Sequence, residues 1–174
     1  AFGGLNFIRF NSSGSVDIEP LLISKTSLKK LEGQLMMFYT GVSRSSKNVL
    51  KEQRKNIITS PQKFLSMQRM VELTFELKKS LENGNLDDIG EILHLNWLEK
   101  KSLASNISNS LIDHYYDLAT QGGGALGGKL LGAGNGGFLL FYVHEEHQEK
   151  LRNTLSELRE FDFHFSDHGS EIIF

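Results

Sequence analysis

Six consecutive residues, Gly132-Ala133-Gly134-Asn135-Gly136-Gly137, place four glycines and an asparagine between two apolar runs. The first run ends at Leu130 and Leu131, and the second extends from Phe138 to Val143. A plain hairpin turn needs about two residues with positive φ, for which Asn-Gly suffices. Every further glycine costs conformational entropy on folding. A turn this rich therefore implies a backbone that comes close to another backbone or to a ligand. Main-chain N–H groups without Cβ atoms around them can form a nest for an anion such as a phosphate. A bulged turn packed under another loop satisfies the same spacing. A Walker loop is excluded because no Gly-Lys-Ser/Thr closes the stretch. Gly132-x-Gly134-x-x-Gly137 meets the bare spacing of a dinucleotide fingerprint, but an extended apolar run follows where a helix must open.

A second stretch with chemical potential is Thr40-Gly41-Val42-Ser43-Arg44-Ser45-Ser46, which follows the apolar run Gln34–Tyr39. The loop beyond a strand's carboxyl end is a favoured ligand position, and an arginine there can fork onto a phosphate or carboxylate. Alternatively, Ser45 or Ser46 caps the next helix and Arg44 pairs with a surface acid. Trp97 falls among the inward-packing positions of its helix, and Asn96, Trp97, Lys100 and Lys101 could meet a substrate, although a solvated face is the preferred reading. Asp113, His114 and Asp117 lack a second cluster and are read as surface residues rather than half a metal site. His144 and His147 are interleaved with acids, the pattern of a solvated first turn facing the helix dipole. No metal site is expected.

The elements that must carry these loops are legible from periodicity. Leu5–Phe10 alternates apolar and polar residues, and Val16–Glu19 can return beside it, with Pro20 at an end. Ser24–Gly33 reads as a short helix capped by Ser24 or Thr26 and ended by Gly33. Gln34–Tyr39 reads as a strand buried on both faces. Helices are predicted over Ser46–Ser60, Gln62–Leu81, Leu86–Lys101 and Ser110–Thr120, with Ser102–Asn109 as a polar connector. After the glycine turn and its strands come a helix over Glu145–Glu160, an outer strand over Phe161–Phe165 and a last strand over Glu171–Phe174. This order suits an α+β domain with a mainly antiparallel sheet backed by helices.

Composition narrows the function classes. The chain has 174 residues, 39% apolar and 23% charged, with a net charge of −2 and no cysteine. That is enough for one domain with its own core. The charge balance argues against a nucleic-acid partner, no apolar run reaches the roughly 18–20 residues of a membrane span, and no secretory signal pattern is present. Absence of cysteine excludes disulfides and thiolate metal sites and fits a cytoplasmic location.

The stretches AFGGLNFIRF, LMMFYTGVSRSS, LNWLEKKSLASNISN and ALGGKLLGAGNGGFLLFYV, spread from end to end, resemble the GHMP small-molecule kinases. LGAGNGGFLLF resembles the third, C-terminal motif of that superfamily, and the subfamily most similar phosphorylates D-glycero-D-manno-heptose 7-phosphate at the anomeric carbon. The family usually has glycine where Asn135 stands, and asparagine also tolerates left-handed backbone. The resemblance implies an elaborated ferredoxin-like GHMP kinase C-terminal domain over residues 1–174. Residues 1–20 would form a hairpin continuing from a missing N-terminal domain. It implies an active site between the two domains, with ATP and Mg2+ bound only when both are present. Gly132, Ala133, Gly134, Asn135, Gly136 and Gly137 would brace the phosphate loop or offer amides to the nucleotide, and Thr40, Ser43 and Arg44 would meet the sugar phosphate. The phosphate loop and the catalytic aspartate are expected upstream of Ala1, so the chain alone is expected to be inactive. A homodimer is compatible with this picture. The alternatives are a fucose- or galactose-type GHMP kinase, and a non-catalytic ferredoxin-like ligand-binding or regulatory domain.

Overall fold

The computed structural model describes residues 2–42, 47–132 and 134–172. The alternating segment at the start forms β1 (Asn6–Phe10), paired antiparallel with β2 (Val16–Pro20) in a separate two-stranded sheet. Pro20 lies opposite Asn6 at the end of the ladder, where a missing N–H costs least. Ser24 caps α1 (Lys25–Gln34) by accepting from the Ser27 N–H. Gly33, expected to end this helix, lies inside it; the chain instead leaves at Leu35, whose extended backbone begins β3 (Leu35–Tyr39).

Four helices follow: α2 (Lys47–Thr59), α3 (Pro61–Asn83), α4 (Asp88–Ser102) and α5 (Ser110–Asp117). Ser60 accepts from the Lys63 N–H ahead of Pro61, and Gly84 closes α3 in the left-handed conformation. Both are ordinary start and stop devices. α5 passes directly into a π-helical turn over Leu118–Gly122. Then come β4 (Gly127–Leu131), β5 (Phe138–Tyr142), α6 (Glu145–Thr154) and β6 (Arg159–Phe161).

The main sheet has the order β4-β5-β3-β6 with every pairing antiparallel. Strand–helices–strand–strand–helix–strand with this order is the ferredoxin-like arrangement, with α2–α5 standing where a single helix would suffice. Its buried face follows from register: Met36 lies opposite Phe141, and Phe38 opposite Leu139, which faces Leu130 on β4. These side chains pack on Trp97, Ile107, Ile112, Tyr116, Leu151 and Leu155. A second cluster joins Tyr142 to Leu31, Leu81, Leu86 and Ile89.

Four further expectations are corrected. β3 is buried on one face, at Met36 and Phe38, while Leu35, Met37 and Tyr39 are half-buried. Its other face is shielded by an aromatic trio, with Tyr39 5.1 Å from Phe138 and Phe138 5.3 Å from Phe161 between ring centroids. α6 stops at Thr154, and residues expected to be helical enter β6. The expected strand Phe161–Phe165 keeps only its first residue in β6. Beyond it the backbone bonds to other partners: the Phe165 N–H donates to Glu32 and the Ser166 carbonyl accepts from Gly4. Glu171 and Ile172 are not in a strand, and the last two residues of that expected strand lie outside the described ones.

Candidate functional site: a glycine turn held between two loops

The β4–β5 turn leaves the sheet at Leu131 and returns at Phe138. Gly132, Gly134, Asn135, Gly136 and Gly137 all have positive φ, and Asn135 at 61° is the one non-glycine residue in that region among the described residues. Close approach explains two of the glycines. A Cβ on Gly134 would lie 2.9 Å from the Ile107 carbonyl oxygen, and one on Gly136 would lie 2.5 Å from that of Val42.

Hydrogen bonds hold the turn from both sides. The Asn135 N–H donates to the Ile107 carbonyl at 2.8 Å, and the Gly137 N–H donates to the Val42 carbonyl at 2.8 Å. Thr40 donates both its N–H (2.9 Å) and its hydroxyl (2.8 Å) to the Gly137 carbonyl, and its oxygen accepts from the Gly137 N–H at 3.2 Å. Asn109 bonds the Asn135 side chain at 2.8 Å. The 103–109 loop is in turn fastened to α2. Glu52 accepts from the Ser105 N–H and hydroxyl, and Asn56 donates to the Leu103 carbonyl. The Ser105 bonds, the backbone one first, hold the Glu52 carboxyl below its usual range.

The turn is thus packed under neighbouring loops, the alternative that spacing left open, and two of its N–H groups are engaged internally. Those of Gly134 and Gly136 make no hydrogen bond among the described residues. The strand leading into the turn carries Lys129, whose ammonium is pushed down by burial; burial and then the Lys129 charge do the same to Lys100 on α4. Lys100 donates to Gln53, and no acid pairs with either lysine among the described residues.

The expected substrate-side residues separate. Thr40 is buried and its hydroxyl is engaged with Gly137, so it reaches a ligand only through the turn it holds. Ser43 and Arg44, like Ala133 in the turn, lie outside the described residues. Trp97 packs inward at 1% exposure, so of its two readings the core one holds and the solvated one does not. Lys101 and Ser108 both bind Asp113. His144 does not sit in a wholly solvated turn, since its Nδ1 meets the buried Gln34 amide at 3.2 Å. The Gln34 amide oxygen accepts from Tyr142, whose hydroxyl burial pushes up to about 12. Sequence reading missed Val42, Ile107 and Asn109 as partners of the turn. A signal existed for two of them: Ile107 is an apolar residue inside a polar connector, and Asn109 has the chemistry of a helix cap.

A ferredoxin-like sheet whose first hairpin turns through a glycine-rich loop defines a class, the C-terminal domain of the GHMP kinases. Residues 77–160 match the family model described as GHMP kinases C terminal. Over 170 residues, 97% of its length, it is 28% identical to the D-glycero-alpha-D-manno-heptose 7-phosphate kinase of Campylobacter jejuni, of which it covers 50%. It is 31% identical over 154 residues, 84% of its length, to the bifunctional fucokinase/GDP-fucose pyrophosphorylase of Arabidopsis thaliana, covering 14% of that protein. A crystal structure from Campylobacter jejuni provisionally assigned as a sugar kinase superposes with a TM-score of 0.70 at 27% identity. That match covers 97% of this chain and 47% of the other. The chain spans about half the length of the heptose 7-phosphate kinase and less of the fucokinase.

Proposed function

We propose that this chain is the C-terminal half of an ATP-dependent sugar kinase, and that the full-length protein phosphorylates D-glycero-D-manno-heptose 7-phosphate at its anomeric hydroxyl. The observation that carries the reading is the glycine turn, pinned on both sides with the Gly134 and Gly136 amides without a partner among the described residues, in a chain whose residues 77–160 match the GHMP kinase C-terminal family. The heptose assignment is supported by the match to a heptose 7-phosphate kinase along nearly the whole chain. A fucose-type kinase is the second reading, favoured by the match to the plant fucokinase.

In phosphoryl transfer, ATP supplies the phosphoryl group and Mg2+ spreads its charge. Two amide donors fit a phosphate edge. The Mg2+ ligands and the catalytic aspartate are assigned to an N-terminal domain, as the family resemblance implies. What this chain does is hold a backbone edge rigidly. Thr40 and Val42 fix one side of the turn, and Ile107 and Asn109 fix the other. A surface fixed before the ligand arrives costs little to organise on binding. Arg44, as a bidentate fork, is the proposed contact for the sugar phosphate. No helix is long and apolar enough to cross a membrane among the described residues, and a cytoplasmic location is part of the proposal.

The test is to assay the full-length protein with ATP against heptose 7-phosphate, fucose and galactose, beside the 174-residue chain alone. Turnover of the heptose by the full-length protein only, with Arg44→Ala raising the sugar-phosphate KM, is the expected result. Preference for fucose overturns the substrate, activity of the chain alone overturns the division of labour, and binding without turnover favours a regulatory domain.

A further inference from the structure

Asn109 makes two kinds of bond with one amide. Its Oδ1 accepts from the N–H groups of Leu111 and Ile112 at 3.0 and 3.1 Å, capping α5, while its Nδ2 donates to the Asn135 Oδ1 at 2.8 Å. The network fixes both amide orientations. Two backbone donors require the oxygen of Asn109 to face the helix. Its NH2 group then faces the turn, and Asn135 must present its oxygen. Asn135 is also the residue held at φ 61°, with its N–H on Ile107, two residues before Asn109.

We propose that Asn109 is a positioning residue for the nucleotide side of the site: it ties the start of α5 to the one polar side chain of the turn and thereby sets where the Gly134 and Gly136 amides lie. The effect on nucleotide rests on the reading of the turn given above; the positioning itself does not. At a left-handed position that glycine would occupy without strain, this chain has a side chain that serves as a tether. The 103–109 loop transmits that tether to α2 through Glu52 and Asn56.

Three variants of the full-length protein test this. Asn109→Ser keeps a capping oxygen but removes the donor to Asn135, and Asn135→Gly removes the acceptor while keeping the backbone conformation accessible. Each is expected to raise the KM for ATP roughly threefold to tenfold, the range of one hydrogen bond. The sugar KM should stay constant and kcat should change less. The double variant is expected to be no worse than either single. Asn109→Asp is expected to restore the wild-type KM, because the carboxylate still caps α5 and the Asn135 amide can turn to donate to it. Additive single effects, or no movement of the Gly134, Gly136 and Gly137 amide resonances in Asn109→Ser, would overturn the proposal. If those resonances move while the ATP KM does not, the positioning stands and the nucleotide reading of the turn fails.

Discussion

Two hairpins in this chain solve the same problem in different ways. The outer one, β1–β2, closes through a turn whose bonds are its own: Asn11 N–H to the Ser15 carbonyl, Gly14 N–H to the Asn11 carbonyl, and the Asn11 side chain to Ser15 and Asp17. The inner one, β4–β5, closes through a turn whose partners are Thr40, Val42, Ile107 and Asn109, all distant in sequence. The strands differ in the same sense. Phe10 is 79% exposed at the end of β1, while Leu139 and Phe141 of β5 are fully buried. A turn stabilised locally needs one glycine and short polar side chains. A turn stabilised by the rest of the fold needs glycine wherever another backbone comes near.

The contrast is broken most directly by adding a methyl group at each turn. Gly136→Ala puts a Cβ against the Val42 carbonyl and is expected to destabilise by about 3 kcal/mol or more. Gly14→Ala meets open space and carries only the left-handed backbone cost of about 1–2 kcal/mol. Urea midpoints of the two variants measure the difference; equal losses would mean that the close approach at Gly136 is relieved at little cost.

Next in size is the removal of side-chain bonds. Thr40→Val keeps the shape but removes the buried hydroxyl that both donates to and accepts from Gly137, with an expected loss of about 1–3 kcal/mol. Asn11→Ala removes exposed, local bonds and should cost less than about 1 kcal/mol. Asn135→Gly is expected to leave stability within about 1 kcal/mol, since relief of left-handed strain offsets the lost bond. Melting measurements on this variant, set beside its ATP KM, separate fold from function.

The smallest effect is a titration at the contact between α1 and the segment after β6, next to the residues that lead into the outer hairpin. Glu32 pairs with His164 at 3.0 Å and accepts from the Phe165 N–H, beside the Ser166 carbonyl that binds Gly4. The Glu32 hydrogen bond, then its charge, raises His164 above its ordinary 6.5, and the His164 bond, then that of Phe165, lowers Glu32 below 4.5. The histidine contribution is complete below 6.5 and is lost as pH rises through its raised value. The carboxylate contribution is present above 4.5 and is lost as pH falls through its lowered value. The contact is therefore tightest between about 4.5 and 6.5. NMR titration should move the amides of residues 4 and 164–166 and leave those of 134–137 still; movement of both sets would show that this contact is coupled to the glycine turn.

Much of the architecture was legible in the chain because local rules decide it. Helix α3, expected over Gln62–Leu81, forms over Pro61–Asn83, and the expected hairpin at the start of the chain pairs antiparallel as β1 and β2. The failures fall where an element's end depends on something distant. The aromatic alternation after Phe161 imitates a strand, but the backbone of Phe165 finds a carboxylate on α1 instead of a neighbouring ladder. Gly33 looked like a helix stop, yet the helix runs on to Gln34, whose side chain binds Tyr142 and His144 from across the fold.

For the site, the sequence by itself pointed to left-handed backbone at the glycines and Asn135 and to a close approach, because four glycines and an asparagine exceed what a hairpin turn needs. Only the tertiary structure decided what that something was. Two loops, one after β3 and one before α5, supply carbonyls to alternate N–H groups of the turn. No local pattern carries that information, since a backbone carbonyl is the same in every residue and only the packing of the sheet against its helices brings Val42 and Ile107 to opposite sides of one glycine turn.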